Sequence, residues 1–142
     1  MKLDNQNIIL KTDQLSIGYL SKKKQNIIAS NINISLKKGQ LVGLIGANGI
    51  GKSALIRTLT NVQKPLKGGI FINTKNMHQY DGLELAKVLS LVLTENISSK
   101  NLSVFELVAL GRQPYTNWVG SLSEHDIDKV NQALEYTNIS NL

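Results

Sequence analysis

Gly46-Ala47-Asn48-Gly49-Ile50-Gly51-Lys52-Ser53 has the spacing G-x-x-x-x-G-K-[ST], and each residue type in it has a use against a chain of phosphates. A polyphosphate needs unpaired backbone N–H groups turned towards it, and a tight glycine-rich turn ahead of a helix supplies them. Gly46, Gly49 and Gly51 allow that turn. Ala47, Asn48, Ile50 and Ala54 contribute backbone to the same cradle. Lys52 reaches the β- and γ-phosphates as a point charge, and the Ser53 hydroxyl suits the magnesium ion that bridges them. The bland alternative is a glycine-rich connecting loop.

Such a loop works only between a strand and a helix. Leu41-Val42-Gly43-Leu44-Ile45 is a short apolar run of the kind found in a strand buried on both faces, and Lys38-Gly39-Gln40 before it reads as a turn. After the loop, Ala54, Leu55, Leu59 and Val62 recur at helical spacing until Pro65 and Gly68-Gly69 end the pattern. Upstream, Leu15, Ile17 and Tyr19 alternate with polar residues, as do Ile28, Ile32, Ile34 and Leu36, which predicts two strands before the loop. Downstream, the reading predicts a strand over Gly69–Asn73, a polar loop over Asn73–Tyr80, a short helix at Leu83–Lys87, and a second apolar strand Val88–Leu93 running into Thr94-Glu95.

Beyond Glu95 the pattern turns helical. Ser103-Val104-Phe105-Glu106 is a capping box, in which the serine and the glutamate each satisfy a free helix-end N–H. Gly111, before Arg112-Gln113-Pro114, is expected to stop that helix. Ser123-Glu124-His125-Asp126 opens another, with Ile127, Val130, Leu134 and, at its end, Tyr136 as the expected buried stripe. The expected fold class is α/β, with residues 1–95 as a nucleotide-binding core and β subdomain, and residues 96–142 as a helical subdomain.

The whole chain is 142 residues, 42% hydrophobic and 18% charged, which suits a globular domain and excludes disordered or collagen-like classes. Its N-terminus is too polar for a secretory signal, and no apolar run approaches membrane-spanning length. The absence of cysteine excludes disulfides and thiol chemistry and agrees with a cytoplasmic setting. The net charge of +6 is not accompanied by aromatic, helix-turn-helix or zinc-ligand patterns, so a nucleic-acid partner is not expected. His78 and His125 have no ligand or catalytic partners near them in sequence and read as surface residues.

Tyr19, the phosphate loop, the strand before Glu95 and the string Leu107-Val108-Ala109-Leu110-Gly111-Arg112-Gln113-Pro114-Tyr115 together resemble the ATP-binding subunit of ABC transporters. The string A-L-G-R-x-P-Y resembles the importers of iron-siderophore, haem and vitamin B12. This resemblance implies a P-loop NTPase core with an N-terminal antiparallel β subdomain and the start of an α-helical subdomain. It also implies ATP and Mg2+ as cofactors, a membrane permease docked on the helical subdomain, and a second ATP-binding subunit facing the first. The location would be peripheral, on the inner face of the cell membrane. Tyr19 matches the family's adenine-stacking aromatic, where a π-face meets a purine without hydrogen bonds; the alternative is a core tyrosine at a strand end. Glu95 falls where the family has a glutamine that contacts the metal and the attacking water. A carboxylate there can ligate magnesium but adds negative charge beside the γ-phosphate.

Two further departures bear on activity. Ala54 stands where the family usually has a threonine, so a hydroxyl contact to the α-phosphate cannot form. The family's signature sequence, its Walker B aspartate-glutamate pair and its switch histidine do not occur in these residues. The chain alone is therefore expected to bind ATP without hydrolysing it, as the N-terminal part of a longer ATPase. A nucleotide-binding fragment without turnover stays open as a reading, as does a small phosphate-loop kinase or GTPase, although neither N-K-x-D nor D-x-x-G occurs.

Overall fold

The structure is a computed structural model and describes residues 7–21, 24–92 and 102–139. They fall into two compact units, Met1–Leu85 and Ala86–Leu142.

The first unit is organised around one long strand. β1 (Ile8–Ser21) pairs antiparallel with β2 (Lys24–Ile32) along its second half and with β3 (Ser35–Lys37) along its first half. Its other edge takes β4 (Lys67–Ile72), which pairs with the short β5 (Lys75–Asn76), giving the order β2-β1-β4-β5. Register shifts on either side of Ile17 bend the ladder with β2. Thr12 joins the break between β2 and β3. Its hydroxyl donates to the Ile32 carbonyl at 2.9 Å and accepts from the Ile34 N–H at 2.8 Å, so the backbone groups at the break are satisfied.

α1 (Lys52–Leu59) buries Ala54, Leu55 and Thr58, and the sheet buries Leu10, Thr12, Leu15, Ile17, Ile70 and Ile72. Thr58 turns its hydroxyl onto the Ala54 carbonyl at 2.7 Å, so the one polar group on that helix face costs nothing on burial. Met77, in a 3-10 turn over Met77–Gln79, completes the core, and α2 (Gly82–Val88) follows.

The second unit contains α3 (Val104–Ala109) and α4 (Glu124–Tyr136), both opened by the predicted capping boxes: Ser103 with Glu106, and Ser123 with Asp126. Of the expected stripe on α4 only Val130 and Leu134 are buried; Ile127 and Tyr136 are exposed.

Four expectations are corrected. Leu41–Ile45 is not a strand: it is irregular, and Leu41 and Ile45 are 99% and 95% exposed. The expected strand Val88–Leu93 is not one over its described residues either, since Val88 ends α2 and residues 89–92 are irregular. The reason is shared: an apolar run becomes a doubly buried strand only with neighbours on both edges, and every pairing among the described residues belongs to the antiparallel sheet. Thirdly, Gly111 does not stop α3. The chain tightens into a 3-10 helix over Leu110–Tyr115, with Pro114 inside it. There are also three strands before the phosphate loop rather than two, because the run from Ile28 to Leu36 is broken at Asn33-Ile34.

Candidate functional site

The segment from Gly39 to α1 is shaped by glycines. Gly39 has φ 75°, and the turn it makes is held by the Gln40 N–H on the Lys37 carbonyl at 3.2 Å. Beyond the extended residues, the Ile50 N–H donates to the Ala47 carbonyl at 3.4 Å, and Gly49 and Gly51 take φ 82° and 107°, values that a side chain strains. Gly51 is also hemmed in. A Cβ there would lie 2.5 Å from Ile28 Cγ2, so the start of α1 is pressed against β2, with Ile17 close behind.

This geometry leaves the loop rich in unused donors. Between Gly46 and Ala54, only the Ile50 N–H bonds to a described acceptor. The first intrahelical bond runs from the Leu55 N–H to the Gly51 carbonyl at 2.9 Å. α3 and α4 close their N-termini with a side-chain cap and an acid, whereas α1 has a glycine cap, no capping side chain and no acidic residue in its first turn. Its helix dipole is therefore uncompensated, which favours an anion.

Lys52 arches back over the loop. Its Nζ donates to the carbonyls of Gly46 at 2.6 Å and Ala47 at 2.8 Å, which closes the turn and holds a cation on the loop. Ser53 is exposed, and its hydroxyl bonds to no described residue. A hydroxyl of this kind is an oxygen donor suited to magnesium. Ala54 is 2% exposed: its methyl belongs to the core, and only its N–H faces the open helix end.

Tyr19 lies two residues beyond Ile17 on β1 and pairs in register with Asn26. It is 50% exposed, so it is not a core residue of the unit. The preceding Gly18 carbonyl accepts from the Gln63 side chain, which ties the stretch after α1 to the end of β1. Gly18 itself sits where a Cβ would run into the Asn26 carbonyl. Glu95 lies outside the described residues. His78 and His125 join no metal-holding cluster among the described residues.

The backing of Gly51 by Ile28 and the tether from Gln63 to Gly18 both escape sequence reasoning, because neither leaves a local pattern. In the helical unit, the A-L-G-R-x-P-Y string has a structural use that the sequence reading did not assign. Arg112 Nη2 stands 2.7 Å from Asp126 Oδ1, and the guanidinium also lies 4.1 Å from the Tyr115 ring centre. The Ser123 hydroxyl, then Arg112, hold the Asp126 carboxyl at about 2, below its usual range.

A family model described as ABC transporter matches residues 29–142. The chain is 40% identical over 124 residues to the achromobactin transport ATP-binding protein CbrD of Dickeya dadantii, covering 87% of this chain and 45% of that protein. It is 33% identical over 131 residues to the iron(3+)-hydroxamate import ATP-binding protein FhuC of Bacillus subtilis, covering 92% of this chain and 47% of that protein. Among solved structures, a nucleotide-free ATP-binding cassette from an ABC transporter superposes with a TM-score of 0.74 at 24% identity, covering 95% of this chain and 56% of that one. The fold is thus that of the P-loop NTPase cassettes, and the chain spans about half the length of the curated relatives it matches.

Proposed function

The chain belongs to the ABC transporter family, and from that membership we propose that it is the ATP-binding portion of an importer ATPase that drives uptake of an iron chelate. The carrying observation is that the N–H groups from Gly46 to Ala54, apart from that of Ile50, bond to no described acceptor and stand at an uncapped helix start on a loop that also holds the Lys52 ammonium. In this reading those N–H groups receive the phosphates, and Lys52 leaves its two carbonyls to pair with the β- and γ-phosphate oxygens. The half-exposed ring of Tyr19 stacks on adenine. Magnesium, when bound, neutralises charge on the β- and γ-phosphates; Ser53 holds it, and Glu95 is the proposed second ligand.

Residues 1–95 serve in this reading as the nucleotide core and 96–142 as the helical subdomain. The helical subdomain meets a membrane permease, and a second ATP-binding subunit faces the phosphate loop. That arrangement puts the protein on the inner face of the cell membrane as a peripheral subunit. No helix among the described residues is long and apolar enough to cross a membrane, so attachment runs through the permease. Of the cargo classes implied by the sequence, iron chelates are favoured over haem or cobalamin, because a 33% identical relative is named for iron(3+)-hydroxamate import.

Titration of a fluorescent ATP analogue against the protein and its Lys52→Ala variant tests the proposal. Losing a charge-assisted phosphate contact removes about 1.5–3 kcal/mol, so affinity falls by about tenfold or more. Equal affinities would overturn it.

A further inference from the structure

Away from the phosphate loop, the sheet carries a cavity of about 280 Å³ lined by Ile8, Lys11, Asp13, Phe71 and Thr74. Its walls follow from the strand pairing. Leu10 and Thr12 turn into the core, so Lys11 and Asp13 stand together on the opposite side of β1. Lys37 and Ser35 of β3 pair with Ile8 and Lys11, which means that the register shift between Ile8 and Leu10 brings Ile8 to this side as well. On β4, Phe71 pairs with Lys11 and Gly69 with Asp13. Gly69 opens the space: a Cβ there would lie 3.0 Å from Phe71 Cε2, so the ring leans over the glycine, and β4 sets no side chain against Asp13.

Charge is left unused here. The Lys11 ammonium and the Asp13 carboxylate, both exposed, bond to no described residue, whereas Lys75 pairs with Glu84 and Arg112 with Asp126. Backbone strain adjoins the same space. Ile72 pairs with Lys75, so Asn73 and Thr74 form a two-residue hairpin loop, with φ 47° and 70°. Such a turn favours glycine at its second position, and a β-branched residue is strained there. Thr74 nevertheless occupies it and lines the cavity, and strain kept at one wall of a cavity points to a use.

From this we infer that the cavity is a binding site for a small zwitterion, an amino acid with an aromatic side chain. Its carboxylate meets Lys11, its ammonium meets Asp13, and its ring packs on Phe71 and Ile8. The two charges rise from positions about 7 Å apart along the strand, a gap that one α-amino acid bridges. A polyanion is repelled by Asp13 and a polyamine by Lys11, so the ligand needs both signs. The volume sets its size: drug-sized ligands take about 300–1,000 Å³, and this cavity is smaller.

The experiment titrates L-phenylalanine into the isotope-labelled 142-residue chain and follows its amides by NMR. Saturable shifts are expected at 8–13 and 69–74, with a dissociation constant on the order of 1 mM, because exposed ion pairs contribute little. Phenethylamine and phenylpropionate, which each carry one of the two charges, bind at least about threefold more weakly. Lys11→Met and Asp13→Asn each weaken phenylalanine binding about threefold to fivefold, and both keep the fold, since the two side chains are exposed and bond to nothing described within it. Lys64→Met, at an exposed lysine outside the cavity, leaves binding unchanged. Absence of saturable shifts at these residues overturns the inference, as does equal binding of a one-charge analogue or indifference to either cavity substitution. Shifts at Gly46–Ala54 on adding the ATP analogue read the proposed function separately, so the two ideas fail independently.

Discussion

Gly51 sits so close to Ile28 that no side chain fits between the start of α1 and β2, and it does so at φ 107°. Two costs therefore fall on one substitution. Gly51→Ala is expected to lower stability by about 1–3 kcal/mol through left-handed strain and to weaken binding of the ATP analogue as the loop shifts. Pairing it with Ile28→Ala relieves the clash but not the strain, so the double variant recovers only part of the loss. Urea unfolding of the three variants checks this; full recovery would mean that the backbone conformation is not what requires glycine.

The Asp126 carboxyl, held at about 2 by the Ser123 hydroxyl and the Arg112 guanidinium, makes the helical unit sensitive to acid. Because its folded value lies below the ordinary carboxylate value of about 4, the stability it contributes is full above that value. It is lost as pH falls from about 4 towards 2. Asp126→Asn should flatten this limb of the stability profile, and Arg112→Met should move it to higher pH. Acid titration followed by circular dichroism tests both, and an unchanged acid limb in Asp126→Asn would count against the assignment.

The 142-residue chain is expected to bind ATP without turning it over. Hydrolysis requires a group that orients water and further positive charge on the transferred phosphoryl. In the proposed reading, Lys52, Ser53 and magnesium hold only the ground state. A phosphate-release assay should give the same rate for the chain and for Lys52→Ala; turnover clearly above that control would show a self-sufficient active site.

Trp118 is 97% exposed at the tip of a turn in which the Asn117 side chain accepts from the Val119 N–H at 3.2 Å and the Ser121 N–H at 3.0 Å. A ring held outward in this way contributes little to folding, so Trp118→Ala should change stability by less than about 0.5 kcal/mol. As part of the proposed permease contact, it should weaken assembly, since tryptophan anchors often dominate interfaces. Crosslinking from Thr116→Cys in assembled membranes should capture the permease. Crosslinks confined to this chain would remove the contact.

What could be read from the sequence follows the range of the forces involved. The phosphate loop and the helix after it were legible because the glycines, Lys52 and the apolar spacing from Ala54 act within a few residues. Both capping boxes were legible for the same reason. Gly111 misled because a glycine signals only that the α-helix can end, and a 3-10 turn ends it as well. Leu41–Ile45 misled for a deeper reason: an apolar run states a demand for burial, but the partners that meet the demand lie far away in sequence. Tyr19 was placed on the correct strand, whose alternation reads as half exposed, and its ring is 50% exposed there. The Glu95 assignment concerns a residue outside those described.

β1 touches β2, β3 and β4, and no other two of those strands pair with each other. The sheet is thus wired like a hub with spokes. Without β1 only the short β4–β5 ladder is left among the described strands, so the amides of β1 should exchange with solvent only when nearly the whole sheet opens. Folding carries the mirror image of this constraint. The β1–β2 hairpin can close early, because its strands are adjacent, but β4 must return to β1 across the phosphate loop and all of α1. The docking of β4 onto β1 is therefore the late, long-range step of the unit.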